Sequence, residues 1–571
     1  MLRFLTILFC VLPCACKLMA QPPSNIDSIL LFLGCDDLQE VDEEEVERLS
    51  SMIENPICIN RASIAQLRSS GLFTPYQLAV LYDYRSRHGN VTSMLELSLL
   101  DSFGDEFTKR LKPFICIDSE LGTNQATSDS RHELVSKAGY KWREDEGSDG
   151  TYAVKYRAQS AGRYSVAASV CRSAGSRPWY PETVAGSFQC QFRRMDGNFI
   201  VGDFNARFGQ GLTLWNGAFM TSLTSPDAFM KKPSGISQPW SFTGSTALSG
   251  MGADFALGKF VVSTMVAFPG LKSVVSNPQV VGIMPAVNVA WHGRFGQVSM
   301  TNLYHMSPNT IERQFLTGLD AAFCIKGVNI FGEVTADWKK KSVKVLLGSR
   351  FRVGEYMDMA MQLRAFQKEQ CGLAISGDFH RDRHRVTFSA DGTYYPVSKD
   401  KNDPFSLQLK SQFLWEMKIT QRLQMKIRVS ERVRTWGHTF RTDVRADLSY
   451  DISPLKVLFR FNCLNCDRAA FLSYAQLTYA GDKLTLHMRQ GVFHIDDWDD
   501  RIYVYEHDAP GSFNVPAMYG RGLWTSLAAG LKVSYRLRIY ARAAYTGYPF
   551  MEAEKKKPGK AELKLQLQCR F

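Results

Sequence analysis

The chain has 571 residues, 45% of them hydrophobic and 22% charged, and its 68 Lys plus Arg against 56 Asp plus Glu give a formal net charge of +12. That length leaves room for about three or four average domains, and a mean hydropathy of −0.18 excludes no class by itself. Beyond residue 20 there is no run of about 18 apolar residues, which excludes an ordinary helical membrane anchor.

At the amino end, Met1-Leu2-Arg3 forms a short positive region, and Phe4 to Cys16 is an apolar stretch too short to span a bilayer. Leu18-Met19-Ala20 then offers a small residue for cleavage, so residues 1–20 are expected to be a signal peptide and Gln21 the start of the exported chain. Lipid modification of Cys16 is the alternative, although Pro13-Cys14-Ala15 is a poor approach to it. An exported chain without a transmembrane helix is secreted, periplasmic or an outer-membrane barrel.

Residues 21–54 form an acidic, helical amino-terminal segment. Asp36 to Glu54 carries Leu38, Val41, Leu49, Met52 and Ile53 at amphipathic spacing, and Asn55-Pro56 stops it. Four short helices are expected within residues 55–117. Ser63-Ile64-Ala65-Gln66 and Ser93-Met94-Leu95-Glu96 are capping boxes, and Thr74-Pro75-Tyr76-Gln77 adds a proline at the first helical position. The fourth helix starts near Gly104-Asp105-Glu106, and Leu67, Leu78, Leu81, Leu97 and Leu111 belong to one small core. Residues 118–131 are polar and read as a linker.

From 132 to 571 the pattern changes to strict alternation. Leu423, Met425, Ile427 and Val429 alternate with Gln424, Lys426, Arg428 and Ser430, and Leu563, Leu565 and Leu567 alternate with Lys564, Gln566 and Gln568. A run of this length is too long for one sandwich. The expected fold is mainly β: a large antiparallel transmembrane β-barrel, with about 18–22 strands at roughly 20 to 25 residues per strand and connection, preceded by the small all-α domain. The last strand, ending on Phe571, resembles the closing strand of bacterial outer-membrane barrels.

Charge separates the two parts. Between Gln21 and Glu120, 8 Lys plus Arg stand against 17 Asp plus Glu, a net of −9. With Arg3 and Lys17 in the leader, residues 121–571 then carry +19. Lys532, Arg536, Arg538, Arg542, Lys564 and Arg570 alternate with apolar positions and are expected to line the lumen. A basic lumen favours anionic solutes, unless inward carboxylates pair with those cations.

Ile59-Asn60-Arg61-Ala62-Ser63, Tyr84-Arg85, Gly89, Ser93-Met94-Leu95-Glu96-Leu97 and Leu111-Lys112-Pro113-Phe114-Ile115 together resemble the tandem helix-hairpin-helix module of the bacterial competence DNA-receptor family. The stretches Gly202-Asp203-Phe204 to Gly211 and Val515 to Gly522 resemble uncharacterised outer-membrane proteins in which this module precedes a barrel. The resemblance implies a periplasmic module with two candidate hairpins for DNA or a protein partner. The first is Leu72-Phe73-Thr74, with neither glycine of a Gly-hydrophobic-Gly hairpin; the second is Ser102-Phe103-Gly104, with Lys109, Arg110 and Lys112 downstream. Glycines there let backbone N–H groups reach a phosphate, so their loss and the −9 charge disfavour DNA and leave docking or gating as the main expectation.

No catalytic constellation or cofactor motif stands out. Asp496, Asp497, Asp499 and Asp500 lack the glycine and terminal glutamate of a regular calcium loop and read as a solvated loop. Gly209-Gln210-Gly211 is too short for a phosphate cradle and reads as a turn or close backbone approach. Ten cysteines remain beyond the leader; Cys463 with Cys466 and Cys58 with Cys116 are the candidate disulfides, the latter pair being buried thiols in the alternative. The expected function is non-enzymatic transport or assembly with a periplasmic partner, in contact with outer-membrane lipids. A competence-like DNA-uptake component is the alternative.

Overall fold

The computed structural model describes residues 25–35, 43–117 and 130–571, less 146, 161–162, 174, 176–180, 193–196, 218–222, 240–245, 271–281, 294, 307–312, 400–404, 467, 513 and 553–556. The expected signal peptide, the start of the acidic helix and most of the linker lie outside these residues. No described helix is long and apolar enough to cross a membrane.

The β part closes into a ring of 24 antiparallel strands. The first, Arg131–Arg143, pairs with the last, Lys560–Arg570, and His132 and Phe571 exchange backbone hydrogen bonds of 2.9 and 3.1 Å. Closure leaves no sheet edge, the condition for a strand to sit in hydrocarbon. Twenty-four exceeds the expected 18 to 22 because connections at the rim carrying the chain ends are short. Ile325 faces Val328 across the two-residue turn Lys326-Gly327, where φ values of 50° and 80° suit a hairpin turn. The opposite rim carries the long loops, notably those between Arg207 and Leu248 and between Ile495 and Gly520.

Which face is inside is settled by burial. Along Val328–Asp337, the apolar Ile330 and Val334 are 46% and 41% exposed, whereas Phe331, Glu333, Thr335 and Asp337 are buried. The same inversion holds along Leu484–Ile495, where Met488 and Val492 face out and Arg489 faces in. A soluble sheet would bury the apolar side; an outward apolar side with polar lumen residues is the arrangement of a barrel in lipid. Aromatic side chains gather near both rims, with Tyr164, Trp291 and Tyr356 at one and Tyr140, Trp338 and Phe440 at the other. Twelve-residue strands at roughly 3.3 Å per residue and a tilt of about 40° cover roughly 30 Å, enough for the apolar band.

The amino-terminal part contains α1 (Asn25–Leu33), α2 (Glu43–Glu54), α3 (Ile64–Ser69), α4 (Pro75–His88), α5 (Met94–Leu99) and α6 (Gly104–Leu111). The helix α1 falls within the expected helical segment of residues 21–54, ahead of its amphipathic stretch. Capping boxes are present at Ser63 with Gln66 and at Thr74 with Gln77, and Pro75 takes the first helical turn. At Ser93 the side chain accepts from the Glu96 N–H, and the Glu96 carboxylate is held instead by Thr92 and Tyr84. Ile29, Leu49, Leu67, Leu81, Leu97, Leu111 and Phe114 share one buried core. Ile57–Cys58 and Ile115–Cys116 pair in parallel, and a Cys58–Cys116 disulfide closes the module at its entry and exit.

Cys463 and Cys466 carry no bond between them, which corrects the second disulfide expectation. Cys463 lies in the strand Leu455–Asn465 and Cys466 just beyond it. An extended chain carries residues three apart roughly 10 Å from each other and onto opposite faces, beyond the reach of a disulfide of about 7 Å.

The inversion fixes where charge is tolerated. Val334→Arg, on the outward face, should lower folding stability by about 2–4 kcal/mol, while Gln424→Arg, on the inward face, should change it little. Urea unfolding from lipid vesicles measures both.

Candidate functional site

The helical module lies inside the barrel. The sequence reading has it in the periplasm, preceding the barrel in the chain, and its charge explains the lumen position. Glu44, Glu45 and Glu47 of α2 lie against the wall: Glu47 pairs with Lys155, Glu44 accepts from Asn205, and Arg207 lies 3.5 Å from Glu44 and 3.7 Å from Glu45. Gln66 donates to Gln191 at 2.7 Å nearer the rim of the chain ends. The module thus supplies carboxylates where the strands turn cations inward. Burial raises the Glu47 carboxyl above its ordinary value despite Lys155, whereas Arg48, with Arg207 and Lys232, outweighs burial at Glu45 and lowers it.

A second inward element is the loop after Arg207. Gly209, at φ +58°, brings the backbone so close to the wall that a Cβ there would lie 2.8 Å from a Glu333 oxygen. That approach lets the N–H groups of Gln210, Leu212 and Thr213 donate to the Glu333 carboxylate at 2.7, 3.0 and 2.9 Å. Further along, the Phe229 carbonyl accepts from Gln362 and the Thr224 carbonyl from Ser376. The loop also holds the module: Asp227 pairs with Arg110 of α6 and lies 2.5 Å from Arg350 of the wall. Lys232 sits 4.3 Å from the centre of the Phe32 ring. Burial pushes the Asp227 carboxyl up, but Arg110, Arg350 and Lys232 together hold it well below the carboxylate range.

The loop between Ile495 and Gly520 folds inward on the other side. Glu506 pairs with Arg542, Asp508 lies 2.6 Å from Lys564, and Lys137 donates to the Gly511 carbonyl at 3.0 Å. His507 stacks on His487 with ring centres 3.8 Å apart. Of the expected inward cations, Arg542, Lys564 and Arg570 therefore have carboxylate partners, Arg570 through Glu133. The aspartates around Trp498 do not converge. Asp496 pairs with Arg521 and Asp500 accepts from the Arg468 N–H, and no described group of His, Cys, Asp or Glu could hold a metal ion.

The hairpin residues have roles within the fold of the module. Leu72, Phe73 and Phe103 are buried in the module core; Ser102 and Gly104 both have φ of 65° and make the second turn. Thr74 serves as an N-cap. Lys109 pairs with Asp105 and Glu106 on its own helix, Arg110 with Asp227, and Lys112 is exposed. Sequence reading missed Glu44, Glu47, Asp227, Arg350 and Lys232 as contact residues; the opposite charges of module and barrel were the available signal.

Removing one partner of a buried pair strands the other. Glu47→Gln or Lys155→Gln alone should weaken seating of the module by about 3–5 kcal/mol, and the double change should recover much of it. Hydrogen exchange of residues 43–117 in the intact protein reads this. A pH effect follows from Lys232, which burial brings down to about 8 against the pull of Asp227 and Glu45. An ordinary lysine titrates near about 10.4, so between roughly pH 8 and 10 the undocked loop binds a proton that the docked loop has lost. Docking should therefore strengthen as pH rises through that window and stay level below it. Protection of the loop from proteolysis should follow that curve, and Lys232→Met should flatten it.

No family model and no curated protein matches the chain. Among solved structures, the siderophore receptor PirA from Pseudomonas aeruginosa is 6% identical with a TM-score of 0.41, covering 79% of this chain and 82% of that one. A ferric enterobactin receptor (PfeA) mutant from the same organism is 8% identical with a TM-score of 0.43, covering 79% and 81%. The P pilus usher (PapC) translocation pore is 7% identical with a TM-score of 0.37, covering 77% and 99%. The likeness is one of large barrel architecture.

Proposed function

We propose that this chain is a non-enzymatic outer-membrane conduit, closed from within by its own helical module and opened when a periplasmic partner displaces that module. The rim of the chain ends faces the periplasm and the long loops face outward. The observation that carries this reading is the set of ion pairs joining three separate parts across the lumen: Glu47 to Lys155 between module and wall, Arg110 to Asp227 between module and loop, and Asp227 to Arg350 between loop and wall. Such contacts suit a closure that is reversible. They are polar, confined and individually replaceable by water, unlike an apolar core.

The Cys58–Cys116 bond and the single apolar core favour movement of the module as one body. Disulfides act chiefly by restricting the unfolded chain, so this bond opposes unfolding of the module and not its displacement as a body. The DNA-uptake alternative requires the hairpins to meet a polyanion, yet Arg110 is engaged by Asp227 and Lys109 by its own helix. Full-length protein is accordingly expected to bind duplex DNA no tighter than roughly 10⁻⁴ to 10⁻⁶ M at physiological salt.

Planar-bilayer recordings test the conduit. Full-length protein should show little conductance, and protein lacking residues 25–117 should show large, stable openings. Equal conductance of the two forms would remove the gating reading, and submicromolar, salt-sensitive DNA binding by the full chain would put DNA uptake in its place.

A further inference from the structure

Many inward cations meet a carboxylate, but among the described residues a group near the rim of the long loops does not. Lys410, Arg432 and Arg441 are direct partners on three successive strands, Ser406–Lys418, Leu423–Arg434 and Phe440–Ile452. Residues directly opposite stand about 5 Å apart, and like charges in that position destabilise a sheet. Arg432 is exposed and, among the described residues, neither it nor Lys410 makes a side-chain hydrogen bond or ion pair. Arg441 donates only to carbonyls, those of Asp499 and Arg501 at 3.1 Å, so its charge is held in place and not neutralised.

The surroundings reinforce the excess. Arg434 donates to Gln408 at 3.1 Å and lies over the Trp436 ring at 5.4 Å, while Lys399 lies over Tyr395 at 3.9 Å and over Trp436 at 4.9 Å. The carboxylates in reach are committed elsewhere: Asp391 pairs with Arg364, Asp443 lies 3.5 Å from Arg428, and Asp499 lies 3.8 Å from Arg501. Adjoining the row is a cleft lined by Arg428, Arg441, Asp443, Arg445, Arg460 and Tyr503. Within it Arg428 and Arg445 face each other across the strands, and Asp447 compensates Arg445 at 3.4 Å and Arg460 at 2.6 Å.

We infer that the Lys410–Arg432–Arg441 row and its cleft form a binding site for a small multivalent anion, with two or more phosphate or carboxylate groups about 5–10 Å apart. Two neighbouring strand spacings set that separation. Guanidinium groups bind either oxyanion through paired N–H donors, and a confined wall of one sign concentrates such ions at the mouth. The position matters for the conduit: the row lies toward the long-loop rim, whereas Lys155 and Gln191, which receive the module, lie toward the other. A solute arriving from outside would therefore meet the site while the lumen is still closed. This deepens the conduit reading and rests on it for its biological sense, but binding at the row is measurable without any current.

Calorimetric titration of the full-length protein in lipid nanodiscs is the test, with inorganic tripolyphosphate and citrate as probes and acetate and maltose as controls. Tripolyphosphate, citrate or both should bind, and Lys410→Gln combined with Arg432→Gln should weaken that binding by at least about tenfold, while Lys532→Gln at the far rim leaves it unchanged. Binding of only one probe assigns the site to phosphate or to carboxylate. Heat-modifiable migration of the double variant confirms that its barrel is intact. Absence of binding by both probes, affinity equal to that for acetate, or binding unaffected by the double change would overturn the proposal, whatever the conductance experiment shows.

Discussion

A ring of strands closed in lipid turns one side of every strand toward a confined, partly dry space, and here that side is rich in Lys and Arg. An uncompensated charge in such a space costs far more than one at a water-exposed surface, because the low local dielectric strengthens repulsion and removes hydration. The remaining architecture follows from satisfying that wall. Some cations are matched from neighbouring strands, as Arg460 is by Asp447 and Arg385 by Asp378. Others are matched only by segments brought in from outside the sheet.

Among the described residues, three such segments enter the lumen, and each uses a different device. The module brings Glu44, Glu45 and Glu47 of α2 to Lys155 and Arg207. The loop after Arg207 uses a glycine turn to set three N–H donors on Glu333, reversing the usual pattern so that the wall provides the acid. The loop after Ile495 brings Glu506 and Asp508 to Arg542 and Lys564. Asp227 links two of these systems, since it touches both Arg110 of the module and Arg350 of the wall. Displacing the module would therefore perturb the loop as well, through Asp227 and through the contact of Lys232 with Phe32.

Where the inward loops bring carbonyls but no carboxylate to the wall, the charge excess persists. The row through Arg432 lies between the two inward loops, and its retention in a sheet that pairs most other cations separates it from ordinary lumen polarity. The barrel thus combines a closed half, filled by protein, with an electropositive approach from the long-loop rim.

Much of this was legible in the amino-acid order. Period-two alternation, as in Leu423 to Ser430, requires strands; the caps at Ser63 and Thr74 require helix starts; and the opposed charges of residues 21–120 and 121–571 were countable before any fold was known. These features are local, since a strand face or a cap depends on residues a few positions apart. Alternation could not say which face was inside, because it is identical in a soluble sheet and a membrane barrel; burial of Glu333 beside exposed Val334 decided that. Nor could local order set the strand number, which depended on two-residue turns such as Lys326-Gly327, or locate the module. Glu47 and Lys155 are 108 positions apart, and Arg110 and Asp227 are 117 apart. Pairings at that separation leave no periodic trace in one sequence, so only the closed ring, by bringing distant strands around a common interior, determined that the acidic module belongs inside it.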